Sequence, residues 1–105
     1  MTADSIFHLA TPAEWAAARA SGSVAPASLT SEGFVHCSTE AQVAGTIDAH
    51  FGGIDELVLL RVDVERLGDA LRWEEGRPGQ AFPHVYRALS VDEVLEVVPW
   101  HRGAS

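Results

Sequence analysis

A single cysteine, Cys37, is all the thiol chemistry the chain offers, so no internal disulfide can form and no paired-cysteine metal motif exists. That scarcity predicts an intracellular, cytoplasmic protein. Basic residues are also few: seven Lys and Arg stand against fifteen Asp and Glu, for a formal charge of -8. Such a field repels phosphate backbones and anionic lipid, which argues against non-specific nucleic-acid binding. No apolar run approaches the roughly 18 residues of a membrane span, and the first residues lack the basic patch and apolar stretch of a secretory leader. Phosphate-cradling Gly-rich loops, the dinucleotide G-x-G-x-x-G, internal repeats and low-complexity tracts are missing as well.

What is present is a globular balance, with 47% hydrophobic and 21% charged residues over 105 positions, too short to divide and still bury a stable core. One domain over residues 1–105 is predicted. Residues 5–10 are a short apolar run interrupted by His8, a strand pattern. Thr11, Pro12 and Glu14 then give a capped helix start, and Gly22 a left-handed stop. Residues 23–33 predict irregular chain with a brief strand near Val24. Gly33 to Ser38 repeats the strand pattern around His36, and Thr39 with Gln42 forms a second capping box ahead of a helix carrying Val43, Ala44, Ile47 and Phe51 on one stripe. Alternation predicts a strand over residues 56–64, with strands over 71–75, 84–89 and 94–100, a Gly/Pro loop over 76–83, and a capped turn over Ser90 to Glu93. Two N-terminal strand-helix units followed by a mainly antiparallel or mixed sheet define an α+β fold.

Polar residues at strand positions mark the chemistry. His8, His36 and His84 each interrupt an apolar strand, and a buried imidazole needs partners for both ring nitrogens. Three of them in one small domain predict a shared polar cleft. Ser38 and Thr39 stand at a strand-to-helix junction, where hydroxyls and free amides either cap the helix or hold a phosphate or ribose edge. Glu74 and Glu75 face opposite sides of their strand, so one of them can enter the cleft. Cys37 reads as a small buried thiol, Trp15, Trp73 and Trp100 as core, and His50 as a helix C-terminal residue outside the cleft. A three-histidine zinc hydrolase and a non-catalytic nucleotide or metabolite-binding module are the competing readings; the separation of the histidines and the lack of a clustered ligand pair predict no bound metal.

The strings Ile6–Leu9, Gly33–Thr39, Trp73–Glu75 and Phe82–Tyr86 resemble the bacterial family called domain of unknown function 952 over about residues 6–100. The order of parts is similar to the ADP-ribosyltransferase-like fold. That resemblance implies a pocket for NAD or a related nucleotide and a transferase of the ADP-ribosyl or glycosyl type. It implies His8 as the anchor of a ribose hydroxyl, His36 in place of the aromatic that stacks on nicotinamide, and Glu75 or His84 as the late polar residue. His8, His36, Ser38, Thr39 and Tyr86 then form the ligand-binding set, with Glu75, His84 and His36 as the catalytic set. The implied partner is a small nucleotide-like molecule.

Overall fold

The computed structural model describes residues 5–103, and its first element is β1, Ile6–Ala10, in which every residue is buried. The near-continuous apolar run has a direct cause: both faces of this strand are covered. Ile6 and Ala10 join one core cluster with Leu60 and Val62, while Phe7 and Leu9 join a second with Ile47 and Leu57. Helix α1, Pro12–Ser21, starts where the sequence places it. Thr11 accepts from the Glu14 amide, Glu14 accepts from the Thr11 amide, and Gly22 ends the helix at φ 91°, a conformation that favours glycine.

The predicted strand over 33–38 is two strands that serve different sheets. β3, Val35–His36, pairs with β7, Gln80–Val85, and places His36 opposite His84. β4, Ser38–Thr39, pairs instead with β1, placing Ser38 opposite Phe7. The chain changes sheet at Cys37, whose amide donates to the Pro83 carbonyl at 3.1 Å. Between α1 and this crossing lie β2, Ser23–Val24, and a short helix α2, Ala27–Ser31, within the stretch expected to be irregular. Five residues of mixed Ala, Ser, Leu and Thr are too few for a 3.6-residue period to show.

After a 3₁₀ turn at Glu40–Gln42 capped by Thr39, helix α3 runs over Val43–His50. Strand β5 covers Glu56–Val62, two residues less than predicted, because Asp63 and Val64 begin the one-turn helix α4, Val64–Leu67. β6, Leu71–Arg77, and β7 form a hairpin through the segment predicted as a loop. Its glycines have local reasons: Gly79 sits at φ 77° in the turn, and a Cβ on Gly76 would lie 2.6 Å from the Phe82 ring. The predicted strand over 84–89 stops at Val85, and β8, Leu89–Ser90, pairs with β2. β9, Val94–His101, keeps Pro99 within the strand at the sheet edge, where a missing amide donor is tolerated.

The sheets have the orders β4-β1-β5-β9, β2-β8 and β3-β7-β6, and every pair among the described residues is antiparallel. The architecture is therefore α+β with antiparallel sheets. Trp73, expected in the core, is exposed: it lies on β6, the edge strand of its sheet, most of whose residues are exposed. No helix among the described residues is long and apolar enough to cross a membrane.

Candidate functional site

His8, His36 and His84 line one groove of about 720 Å³ between β1, the α2 region, α3 and the β6–β7 hairpin. The sheet change at Cys37 builds it. That crossing sets His36 beside His84 on one sheet while keeping the following Ser38 against β1 on the other.

His8 is 7% exposed, and its Nδ1 lies 2.8 Å from the backbone carbonyl of His36. A carbonyl only accepts, so Nδ1 carries the proton and Nε2 holds the lone pair. Nε2 has no partner among the described residues, yet no buried side-chain nitrogen or oxygen is left unpartnered. Solvent therefore reaches it, and His8 lines both this groove and a second cavity of about 390 Å³ that Trp15, Ala18, Val24 and Leu60 also line. Burial lowers the His8 pKa from its usual 6.5, against the opposing pull of the His36 carbonyl, and the ring is neutral at pH 7.

His84 and His36 are each paired with a carboxylate. His84 Nδ1 donates to Glu74 Oε1 at 2.7 Å, and the same oxygen accepts from Tyr86 Oη at 2.6 Å. Those two hydrogen bonds, Tyr86 first, hold the Glu74 carboxyl below its ordinary value, while the bond to Glu74 pushes the Tyr86 phenol up. His36 Nε2 donates to Glu32 Oε1 at 2.9 Å, lowering the Glu32 pKa. Phe34 organises the rings: it stacks on His84 at 4.0 Å between centroids and meets His36 edge-on at 4.8 Å. His36 and His84 are themselves edge to face at 5.3 Å.

Ser38, 2% exposed, lies in the groove wall with its hydroxyl 2.8 Å from that of Thr46. Thr39 does not line the groove; its side chain accepts from the Gln42 amide as a helix cap. Glu75 does line it, with Oε2 accepting from the Gly79 amide in the hairpin turn. Of this adjacent pair, the carboxylate that bonds to a groove histidine is Glu74, on the other side of the strand. Tyr86 is outside the lining and bonds to Glu74. Burial pushes the Cys37 thiol up to about 12, which leaves it unreactive.

Several lining residues escaped the sequence reading. His50, set aside as a helix-end residue, enters the groove with Thr46, one turn earlier on α3. Their i, i+4 spacing was the available signal. Phe34, Phe51 and Phe82 add aromatic faces, and Arg77 adds a guanidinium that donates to the Gly45 carbonyl. No group of three or more His, Cys, Asp or Glu among the described residues is arranged to hold a metal ion.

Comparison with known proteins gives family and architecture. The crystal structure of CC0527 from Caulobacter crescentus is similar with a TM-score of 0.84 and 41% identity, covering 90% of this chain and 84% of that one. The solution structure of CC0527 gives a TM-score of 0.82 at 40% identity, with 95% and 87% covered. No curated protein matches. These neighbours do not show the ADP-ribosyltransferase-like resemblance, which rests on the order of parts in the sequence. Residues 9–97 match the family model described as protein of unknown function (DUF952), and the chain belongs to that family.

Proposed function

We propose that the groove binds a ribose-bearing nucleotide, NAD first among them, and that the histidines carry ADP-ribosyl or glycosyl-type transfer on it. The observation that carries this reading is His8: a buried, neutral imidazole with a fixed tautomer in the groove wall, its Nε2 lone pair without a partner among the described residues. A ribose hydroxyl is the donor such an acceptor suits. Phe34, Phe51 and Phe82 offer faces for a planar base, and the 720 Å³ groove falls within the range typical of small-molecule sites. Arg77 offers a cation for a phosphate despite the acidic net charge, since salt screens distant charges over roughly 8–10 Å. Cleavage of the nicotinamide bond builds positive charge on the sugar, and Glu75 is the groove carboxylate proposed to meet it.

Calorimetry with NAD, ADP-ribose and AMP tests binding, and nicotinamide release tests turnover. NAD should bind at sub-millimolar concentration, and His84→Ala should slow nicotinamide release by about 100-fold, the scale of a lost general base. Absence of binding by all three ligands at millimolar concentration would sink the reading.

One observation favours a binding module without turnover. Each groove carboxylate already accepts a hydrogen bond: Glu14 from the Thr11 amide, Glu32 from His36, and Glu75 from the Gly79 amide. Engaged oxygens meet a developing cation less well. Tight ligand binding with no nicotinamide release by the wild type selects this second reading.

A further inference from the structure

We propose that Tyr86, Glu74 and His84 form a relay that fixes the His84 lone pair toward the groove, with Glu74 as its positioning residue and His84 Nε2 as the base that activates an acceptor hydroxyl. The last clause rests on the transfer reading above. The relay itself rests on geometry.

Glu74 Oε1 accepts from both His84 Nδ1 at 2.7 Å and Tyr86 Oη at 2.6 Å. It lies behind His84, outside the groove lining, so nothing assigned to the ligand uses it. Phe34 covers one face of the His84 ring at 4.0 Å, and the His36 ring stands edge-on at 5.3 Å. The N–H and the nitrogen lone pair of a neutral imidazole both lie in the ring plane. Nδ1–H is taken by Glu74, which puts the lone pair on Nε2. That atom has no partner among the described residues and is not left buried, so it opens on the groove. Tyr86 fixes Glu74 in turn, and the Arg72 guanidinium rests over the Tyr86 ring at 5.4 Å. A carboxylate behind an imidazole that faces a ligand is how an active-site histidine is held in one tautomer and its cation is compensated.

In the step this serves, the acceptor O–H gives its proton to His84 Nε2 and its oxygen forms a bond to the anomeric carbon. The bond from that carbon to the nicotinamide nitrogen breaks, and its electron pair stays on nitrogen, cancelling the pyridinium charge. Glu74 balances the resulting imidazolium until the proton passes to solvent.

Imidazole ¹⁵N spectra of the wild type above the histidine titration range read the relay directly. His84 should show a protonated Nδ1 and a lone-pair Nε2. Glu74→Gln should keep that pattern, because an amide oxygen also has two lone pairs for the two donors. Glu74→Ala should lose it, the proton moving largely to Nε2. Tyr86 is the only tyrosine, so phenolate absorbance gives a second, unambiguous signal: a titration above 10 in the wild type that returns to about 10 in Glu74→Ala. A wild-type His84 protonated on Nε2 overturns the proposal. So does a Glu74→Ala protein in which tautomer and phenol titration are both unchanged. None of these signals requires a ligand, so absent nicotinamide release with the expected tautomers would remove the transfer reading and leave the relay standing.

Discussion

Replacing Glu93 with glutamine should cost about 2–3 kcal/mol at pH 7 and flatten the acid limb of the stability curve between about pH 4.5 and 2. Glu93 is 3% exposed, yet its two oxygens accept from Arg87 Nη1 at 2.8 Å and Nη2 at 2.7 Å, and from the Ser90 amide at 2.8 Å. The bidentate Arg87 contact dominates and holds the carboxyl at about 2 against an ordinary 4.5. A carboxyl whose folded pKa is depressed stabilises the native state fully above its unfolded value. That contribution is lost as pH falls through the folded value, because the unfolded chain takes up the proton first. At about 1.4 kcal/mol per unit, the difference is on the order of 3 kcal/mol. Arg87→Ala should cost as much or more, about 3–5 kcal/mol, since it leaves a buried carboxylate without its cation, whereas the glutamine variant leaves a guanidinium that water reaches. Urea unfolding at a series of pH values measures both. An acid limb in Glu93→Gln as steep as in the wild type would show that the clamp does not set it.

The same clamp illustrates what sequence conceals. Ser90 to Glu93 was readable as a capped turn because the cap is local, and Glu93 does accept from the Ser90 amide. Its second partner, Arg87, lies in a bend with no period of its own. Local signals elsewhere were also legible: both capping boxes, the Gly22 stop and the alternation of β5. The site was legible as residue types, since His8, His36 and His84 stand out as polar interruptions of apolar runs. The sheet change at Cys37 was not, because Gly33 to Ser38 reads as one strand and only pairing separates its halves. For the same reason the choice between Glu74 and Glu75 was hidden. Alternation puts them on opposite faces without saying which face meets His84, and the register that aligns Arg72 with His84 is a tertiary fact. The hairpin was missed because Gly76, Pro78 and Gly79 look like loop composition, although Gly76 is needed to clear the Phe82 ring.

His8→Asn should remove a second, separate loss of stability that begins just below pH 6.5, and it should weaken nucleotide binding by about 10–100-fold. The folded His8 pKa lies below its usual 6.5, chiefly because burial disfavours the cation. The sign follows from proton uptake. As pH falls below 6.5 the unfolded chain binds a proton that the folded chain refuses, so stability is present above 6.5 and declines beneath it. This window opens at a higher pH than the Glu93 window, so a pH series resolves the two. The asparagine amide can stand where Nδ1–H stands and donate to the His36 carbonyl, so stability at pH 7 should fall by no more than about 1 kcal/mol. His8→Ala should cost about 2–3 kcal/mol instead, since it strands that carbonyl and opens a cavity. Neither variant keeps the Nε2 lone pair, so both should lose the hydrogen bond proposed for a ribose hydroxyl, and in the wild type ligand affinity should fall as His8 takes up its proton. Calorimetry at pH 7.5 and urea unfolding at a series of pH values, on wild type and His8→Asn, separate the effects. Equal affinity in the two proteins at pH 7.5 would remove His8 from the binding site, and an undiminished decline below pH 6.5 in the variant would assign that decline to another group.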